Sequence, residues 1–211
     1  MLTRKWIVYG MISGILSVLA YSLAIMGLPL KITLCCGFAF GPLLSLAFVG
    51  YYHFFALHKK TVTLQAGVIF GVIAGTIVNM MIVIQSAIGL TVPNESRAGM
   101  GFAWNGLNMV QLGLDVSWDI YFTLATILLG LAMFTHPRFG KIWGSLTMII
   151  GLSLLILNMW TFPVPPANSG LIDVGPISGI WYLIISIRVL MSLKWVDQTT
   201  AIHVEQDKIK T

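Results

Sequence analysis

The stretch NGLNMVQLGLDVSWDIYFTLAT, residues 105–126, sets polar side chains at regular intervals into an apolar segment. Read as a helix with ~100° per residue, it gathers its polar positions into an arc of roughly 120°. Those positions are Asn105, Asn108, Gln111, Asp115, Asp119, Thr123 and Thr126. Because a carboxylate at mid-membrane costs on the order of 3 kcal/mol, the stripe predicts a membrane helix whose polar face meets a polar interior or water.

The composition of the whole chain supports the same interpretation. Of the 211 residues, 57% are hydrophobic and only 9% are charged, whereas soluble domains carry roughly 25% charged residues. We therefore expect an all-α fold, a polytopic membrane helical bundle whose partner is the lipid bilayer. The net charge of +5 does not indicate a nucleic-acid partner, because the cations lie between apolar segments and form no basic stripe with interleaved aromatic residues.

Six apolar segments are long enough to cross a bilayer, which takes ~20 residues. The predicted spans are 6–27, 32–57, 62–90, 114–134, 142–161 and 176–193. Together they form one transmembrane domain, residues 1–194, followed by a polar tail at 195–211. No proline is expected to interrupt a span, since Pro42 and Pro176 are assigned to first turns.

The distribution of cations predicts the orientation. Nine lysines and arginines lie on the side of the two termini, and only Lys31 and Arg97 lie on the other. By the positive-inside rule, both termini and the tail are cytoplasmic. Tryptophans are expected to mark the two interfaces, with Trp6, Trp143 and Trp195 on the inner side and Trp104, Trp118, Trp160 and Trp181 on the outer side.

The third span carries glycines at every fourth position: Gly67, Gly71 and Gly75. A bare glycine groove lets a neighbouring helix approach closely, which predicts tight helix packing here. The neighbour is either another helix of the same chain or a second subunit, so a homo-oligomer or a membrane partner remains open.

Asp115 and Asp119 are the strongest candidates for a functional site. Carboxylates four residues apart share one face of a helix, and the predicted orientation places both in the outer leaflet. Polar residues expected at similar depth are Gln85, Asn158 and Asp173, with Asn79 deeper. The predicted ligand-binding set is Asp115, Asp119, Gln85, Asn158, Asn108 and Gln111. In the alternative interpretation, Asp115 is only an acid that begins a helix, favoured by the helix dipole, and Asp119 is solvated at the rim.

Other residues with chemical potential receive simpler interpretations. Cys35 and Cys36 are adjacent in an apolar run, where they act as small packing residues. The histidines near the cytoplasmic face are interfacial residues in preference to zinc ligands. Arg188 is expected to extend towards the cytoplasmic headgroups, with Asn79 as an alternative partner. We assign no metal site and no catalytic residue, and the sequence names no cofactor.

Three functions remain open at this point. The leading one is a non-enzymatic protein that binds or passes a small solute, a cation or a lipid headgroup at an outer polar pocket. The second is an intramembrane lipid-modifying enzyme that uses Asp115 and Asp119 for acid–base or metal chemistry. Membrane prenyltransferases and CDP-alcohol phosphotransferases hold magnesium with aspartates at such a spacing, but this chain lacks their further aspartates. The third is a structural subunit that assembles through the glycine groove.

Four segments of the C-terminal half carry a resemblance: GLDVSWD (113–119), FTHPRFGK (134–141), TFPVPP (161–166) and DVGPISGIWY (173–182). They resemble a group of uncharacterised bacterial six-span membrane proteins of unknown function. The N-terminal half is similar to this group in its span pattern alone. The resemblance implies a bacterial plasma-membrane location and assigns no role to any residue.

Overall fold

A computed structural model describes residues 2–91, 99, 101–164 and 166–210 of the chain. The described part is helical and contains no strand, which confirms the all-α fold class. Its elements are α1 (Leu2–Ile25), α2 (Leu30–Ala56), α3 (Val62–Thr91), α4 (Gly101–Met133), α5 (Gly140–Thr161), a 3-10 turn (Pro166–Ser169), α6 (Gly175–Met191) and α7 (Leu193–Lys210).

The helices have the length and hydropathy of a multi-pass membrane protein. Among the described residues, five helices can cross a bilayer, or six if α6 and α7 count as one span bent by 56°. The predicted spans agree with the helices except in the fourth, which begins at Gly101 and not near residue 114. Gly113 does not break α4, since one glycine inside a helix costs only ~1 kcal/mol.

Helices α1 to α6 pack as a ring in chain order. Each of α1 to α4 contacts the next helix along the chain, and α6 lies between α5 and α1. At the end that carries both termini, Arg4 Nε of α1 lies 2.9 Å from Asp197 Oδ1 of α7. Both side chains are about half exposed, so this ion pair shows where α7 lies and adds little stability.

Aromatic side chains fill the centre of the ring, and Phe48 of α2 is their hub. Its ring centroid lies 6.0 Å from that of Tyr51, 6.4 Å from that of Phe122 and 5.6 Å from that of Tyr182. Phe48 is fully buried. Edge-on and tilted contacts of this kind add to the free energy gained from burying the rings, so Phe48 joins α2, α4 and α6 into one core.

The glycine groove of α3 is filled by helices of the same chain. A Cβ on Gly71 would collide with the ring of Phe48, and one on Gly75 would lie 2.7 Å from the carbonyl oxygen of Gly41. A Cβ on Gly67 would lie 3.1 Å from the Cβ of Leu128 in α4. The predicted tight packing is present, but it lies inside the chain. The expectation that the groove receives a second subunit therefore loses its basis.

One proline departs from its predicted place. Pro42 lies inside α2, twelve residues after the helix begins, and not in a first turn. A proline there removes one hydrogen bond that the helix would otherwise donate. Its side chain is exposed on the outside of the ring, where the pyrrolidine faces no neighbouring helix closely enough to displace it.

Arg188 binds the C-terminal half of α6 to its neighbours. Its guanidinium lies 4.3 Å from the ring centroid of Trp143, and its Nε and Nη2 donate to the carbonyl oxygen of Arg138 at 3.1 and 2.6 Å. The predicted contact with lipid headgroups is replaced by contacts with protein groups, and Asn79 is not one of them. Trp181 stacks on Trp143, with ring centroids 5.1 Å apart. Because two stacked rings cannot lie at opposite membrane interfaces, the prediction that Trp181 and Trp143 mark opposite interfaces was wrong.

Replacing Arg188 with lysine is expected to lower the free energy of unfolding by about 1–2 kcal/mol. Lysine keeps the charge but loses the planar fork that both stacks on an indole and donates twice to one carbonyl. Thermal unfolding in detergent measures the effect. Arg138→Lys is the matched control, because Arg138 contributes only its backbone carbonyl to the contact. Equal unfolding temperatures for the two variants would contradict this account.

Candidate functional site

A cavity of about 230 Å³ lies in the half of the ring away from the termini, which the charge distribution assigns to the outer side. Five helices line it, α1, α2, α4, α5 and α6, whereas α3 contributes no residue. Its acidic residues are Asp115, Asp119 and Asp173, and its aromatic residues are Tyr21, Phe40, Tyr51, Trp118, Phe122 and Tyr182. We call it the Asp119 cavity.

The cavity exists because α6 begins deep in the ring. The hydroxyl of Tyr182 lies 2.8 Å from Thr126 Oγ1, which aligns α6 with α4. Tyr182 and Thr126 each lie seven residues, or ~10 Å, below Gly175 and Asp119 respectively. The first turn of α6 is therefore near the level of Asp119. Above that level the ring has no sixth helix, and the segment around the buried Pro166 closes part of the space.

Two buried tyrosines form the floor of the cavity. The Tyr51 hydroxyl pairs with Ser186 Oγ at 2.7 Å and reaches the carbonyl oxygen of Tyr182 at 3.2 Å. The two rings lie 5.8 Å apart and rest on Phe48. With every hydroxyl paired and every ring packed, this floor separates the cavity from the half of the ring that carries the termini.

Asp119 is the central polar group of the cavity. Its side chain is only 5% exposed, and within the described part of the chain it accepts no hydrogen bond and forms no ion pair. Asp115 and Asp173 are close enough to interact with it electrostatically. Buried charges in proteins are normally paired, because an unpaired one costs several kcal/mol. An unpaired acid inside a membrane helix bundle is therefore a candidate functional group.

Asp173 has a structural partner that Asp119 lacks. Its Oδ1 accepts a hydrogen bond from the backbone N–H of Gly175 at 2.8 Å, at the start of α6. The carboxylate thus compensates the partial positive charge of the helix N-terminus. The first turn of α6 accordingly has its own anion, and the charges of Asp115 and Asp119 are left without compensation.

The structure brings together only some of the residues proposed from the sequence. Asp115, Asp119 and Asn158 line the cavity, together with Asp173. Gln85 does not, because it is on α3, which contributes no residue to the lining.

The outer part of the polar stripe also lies away from the cavity. Asn108 is exposed and Gln111 is half-buried, ~16 Å and ~12 Å further out along α4 than Asp119 at 1.5 Å per residue. Asn79 packs against α2 at Gly41, and its Oδ1 is buried without a partner in the described residues. Of the ligand set proposed from the sequence, Asp115, Asp119 and Asn158 line the cavity. The other members, Gln85, Asn108 and Gln111, do not.

The alternative interpretation of the two acids does not fit the geometry. Asp115 lies fourteen residues after the start of α4, far from the positive end of the helix dipole. Asp119 is buried and not solvated at a rim. Sequence reasoning missed the aromatic wall from α1, α2 and α6, because no pattern in one helix shows which rings of other helices face it.

The three acids surround the cavity without converging on one point. Across the described ranges, no group of three or more histidine, cysteine, aspartate or glutamate side chains is placed to hold a metal ion. This arrangement does not support the magnesium chemistry of the enzyme hypothesis. It leaves room for a ligand larger than a bare ion.

Comparison with known proteins adds no assignment. The chain matches no protein-family model, no curated protein and no solved structure. Function is therefore inferred from the cavity itself.

Proposed function

We propose that this multi-pass membrane protein binds a small solute, which enters the Asp119 cavity from the outer side of a bacterial plasma membrane. The observation that carries the proposal is the buried Asp119 carboxyl group, unpaired within the described residues, at the wall of a mostly apolar cavity. Binding sites for small molecules have this composition, a mostly apolar lining with a few convergent polar groups. The distribution of cations supports the orientation, and the resemblance of the C-terminal half supports the bacterial membrane.

The size of the cavity limits the solute. An engineered cavity of about 150 Å³ binds benzene, so about 230 Å³ suits a molecule of roughly eight to ten non-hydrogen atoms by the same measure. The paired hydroxyls and packed rings of Tyr51 and Tyr182 lie at the floor of the cavity, which favours binding over passage. Passage to the cytoplasm would need Tyr51 and Tyr182 to separate.

Filling the cavity is expected to abolish solute binding without unfolding the protein. Gly179 lines the cavity, and a Cβ added there meets no atom within 4 Å. Gly179→Phe should therefore occupy the space with its own ring. We expect fragments of up to about ten non-hydrogen atoms, drawn equally from cationic, neutral and anionic compounds, to raise the unfolding temperature of the purified wild-type protein. A fragment at one hundred times its Kd adds about 2.7 kcal/mol.

The matched control is Gly89→Phe on α3. Gly89 is exposed, its Cβ would also lie in open space, and it does not line the cavity. Fragments should stabilise this variant as much as the wild type and should lose their effect on Gly179→Phe. The proposed function is wrong if no fragment stabilises the wild type, or if every active fragment acts equally on both variants.

A further inference from the structure

We infer that the solute is an organic cation, a protonated amine attached to a small aromatic or alkyl body. The inference rests on the proposed function and adds the chemical class of the ligand. Its charged head would lie beside Asp115 and Asp119, and its body would lie against the rings of Phe40, Phe122 and Tyr182.

Charge is the first reason. The acidic side chains at the wall are three aspartates, and no lysine, arginine or histidine is among the described residues that line the cavity. An anionic ligand would face three acids in a site of low dielectric, where like charges repel strongly. The one cationic feature is the N-terminus of α6, and Asp173 already compensates it at 2.8 Å.

The aromatic wall is the second reason. The ring centroids of Tyr21 on α1 and Phe40 on α2 lie 5.1 Å apart. Those of Trp118 and Phe122, both on α4, lie 5.5 Å apart, and both pairs line the cavity. The negative faces of such rings attract alkylammonium groups, which is how proteins recognise substituted amines. A neutral ligand would gain from the apolar surface but could donate only from an uncharged group to the Asp119 carboxylate, a weaker contact than that of an ammonium group.

The spacing of the acids is the third reason. They do not approach one another closely enough to act as a set of metal ligands, so a small inorganic ion could not contact them together. An ammonium head has three N–H donors that point in different directions, so the groups that accept from it can lie further apart than the ligands of one small metal ion. It can reach Asp119 and a second carboxylate while its body occupies the remaining space.

Three compounds of equal size and different charge test the inference on the full-length protein in detergent. Benzylamine, benzyl alcohol and benzoate share one ring, so their burial is the same and only the head group differs. Near pH 7 we expect benzylamine to bind at least about tenfold more tightly than the other two, since a charge-assisted contact is much stronger than a neutral one. Asp119→Asn should remove that advantage, so that benzylamine binds this variant no more tightly than benzyl alcohol does.

The outcomes separate the two proposals. If benzyl alcohol or benzoate binds as tightly as benzylamine, and Gly179→Phe abolishes the binding, the cavity binds solutes and the cation inference is overturned. Stabilisation by Mg²⁺ alone, with none by benzylamine, also overturns it. If none of the three compounds binds the wild type, the inference fails together with the proposed function. Because the comparison among ligands uses the unmodified chain, it stands even if Asp119→Asn folds poorly.

Discussion

Replacing Gly71 with leucine is expected to leave almost no folded protein. A Cβ at this position would already collide with the ring of Phe48, and leucine adds three more carbon atoms. The ring cannot move aside, because Tyr51, Phe122 and Tyr182 enclose it at centroid distances of 5.6–6.4 Å. Overpacking a tight core costs typically 1–3 kcal/mol, and a clash with the hub of three helices should exceed that range.

Size-exclusion of the detergent-solubilised protein measures the effect. We expect the monodisperse peak to fall by about tenfold or more, which corresponds to at least ~1.4 kcal/mol. Gly89→Leu on the same helix is the matched control, since its side chain would enter open space and a surface change stays within about 0.5 kcal/mol. Similar peaks for the two variants would contradict the assigned packing.

A smaller change keeps the prediction testable if the leucine variant never accumulates. Gly71→Ala adds only the clashing Cβ, and Phe48→Leu removes part of the ring that it meets. The double variant should be more stable than the sum of the two single losses, because each change relieves the other. Strict additivity would show that Gly71 and Phe48 do not press on each other.

The sequence was sufficient for properties that depend on one helix at a time. Apolar length identifies the spans, and the period of the stripe places Asp115 and Asp119 on one face. The structure has those two acids on one cavity wall. Both inferences use only the geometry of a single helix, which a residue count supplies.

The sequence was insufficient wherever two helices had to be related. Gln85 shares a depth with Asp119, but depth along the membrane does not say on which side of the ring a helix lies, and α3 lies away from the cavity. The depth predicted for Trp181 was counted from the start of its span, which was assumed to lie at the outer surface. α6 begins deeper in the ring than that surface. The deep start of α6 follows from the contact between Tyr182 and Thr126. No sequence pattern within one helix predicts that contact.

The last prediction concerns His136, in the turn between α4 and α5. Its side chain is 2% exposed and is surrounded by aromatic rings with centroids 4.8–5.7 Å away: Trp195, Phe54, Phe55, His58 and Phe139. Nδ1 accepts a hydrogen bond from the backbone N–H of Arg138 at 3.2 Å, so the neutral ring carries its proton on Nε2. A second proton would have to go onto Nδ1 and would oppose that N–H.

The charged form of His136 is therefore strongly disfavoured. Burial, with smaller contributions from the neighbouring His58 and Arg138, lowers its pKa from 6.5 to about 3. The unfolded chain binds a proton near pH 6.5, whereas the folded chain does not until near pH 3. The stabilising effect of a neutral His136 is complete above about pH 6.5 and is lost as the pH falls towards 3.

We expect the free energy of unfolding to fall by ~2 kcal/mol between about pH 7 and pH 5 because of this one group, at 1.36 kcal/mol per pH unit. Thermal unfolding of the purified protein across that range measures the slope. His136→Asn keeps an acceptor for the Arg138 N–H but does not titrate, so it should be less stable than the wild type near pH 7 and lose less stability on acidification. His203→Asn, at an exposed position of α7, should leave the slope as it is. If the wild type and His136→Asn lose stability in parallel, protonation of this imidazole does not limit the fold in acid.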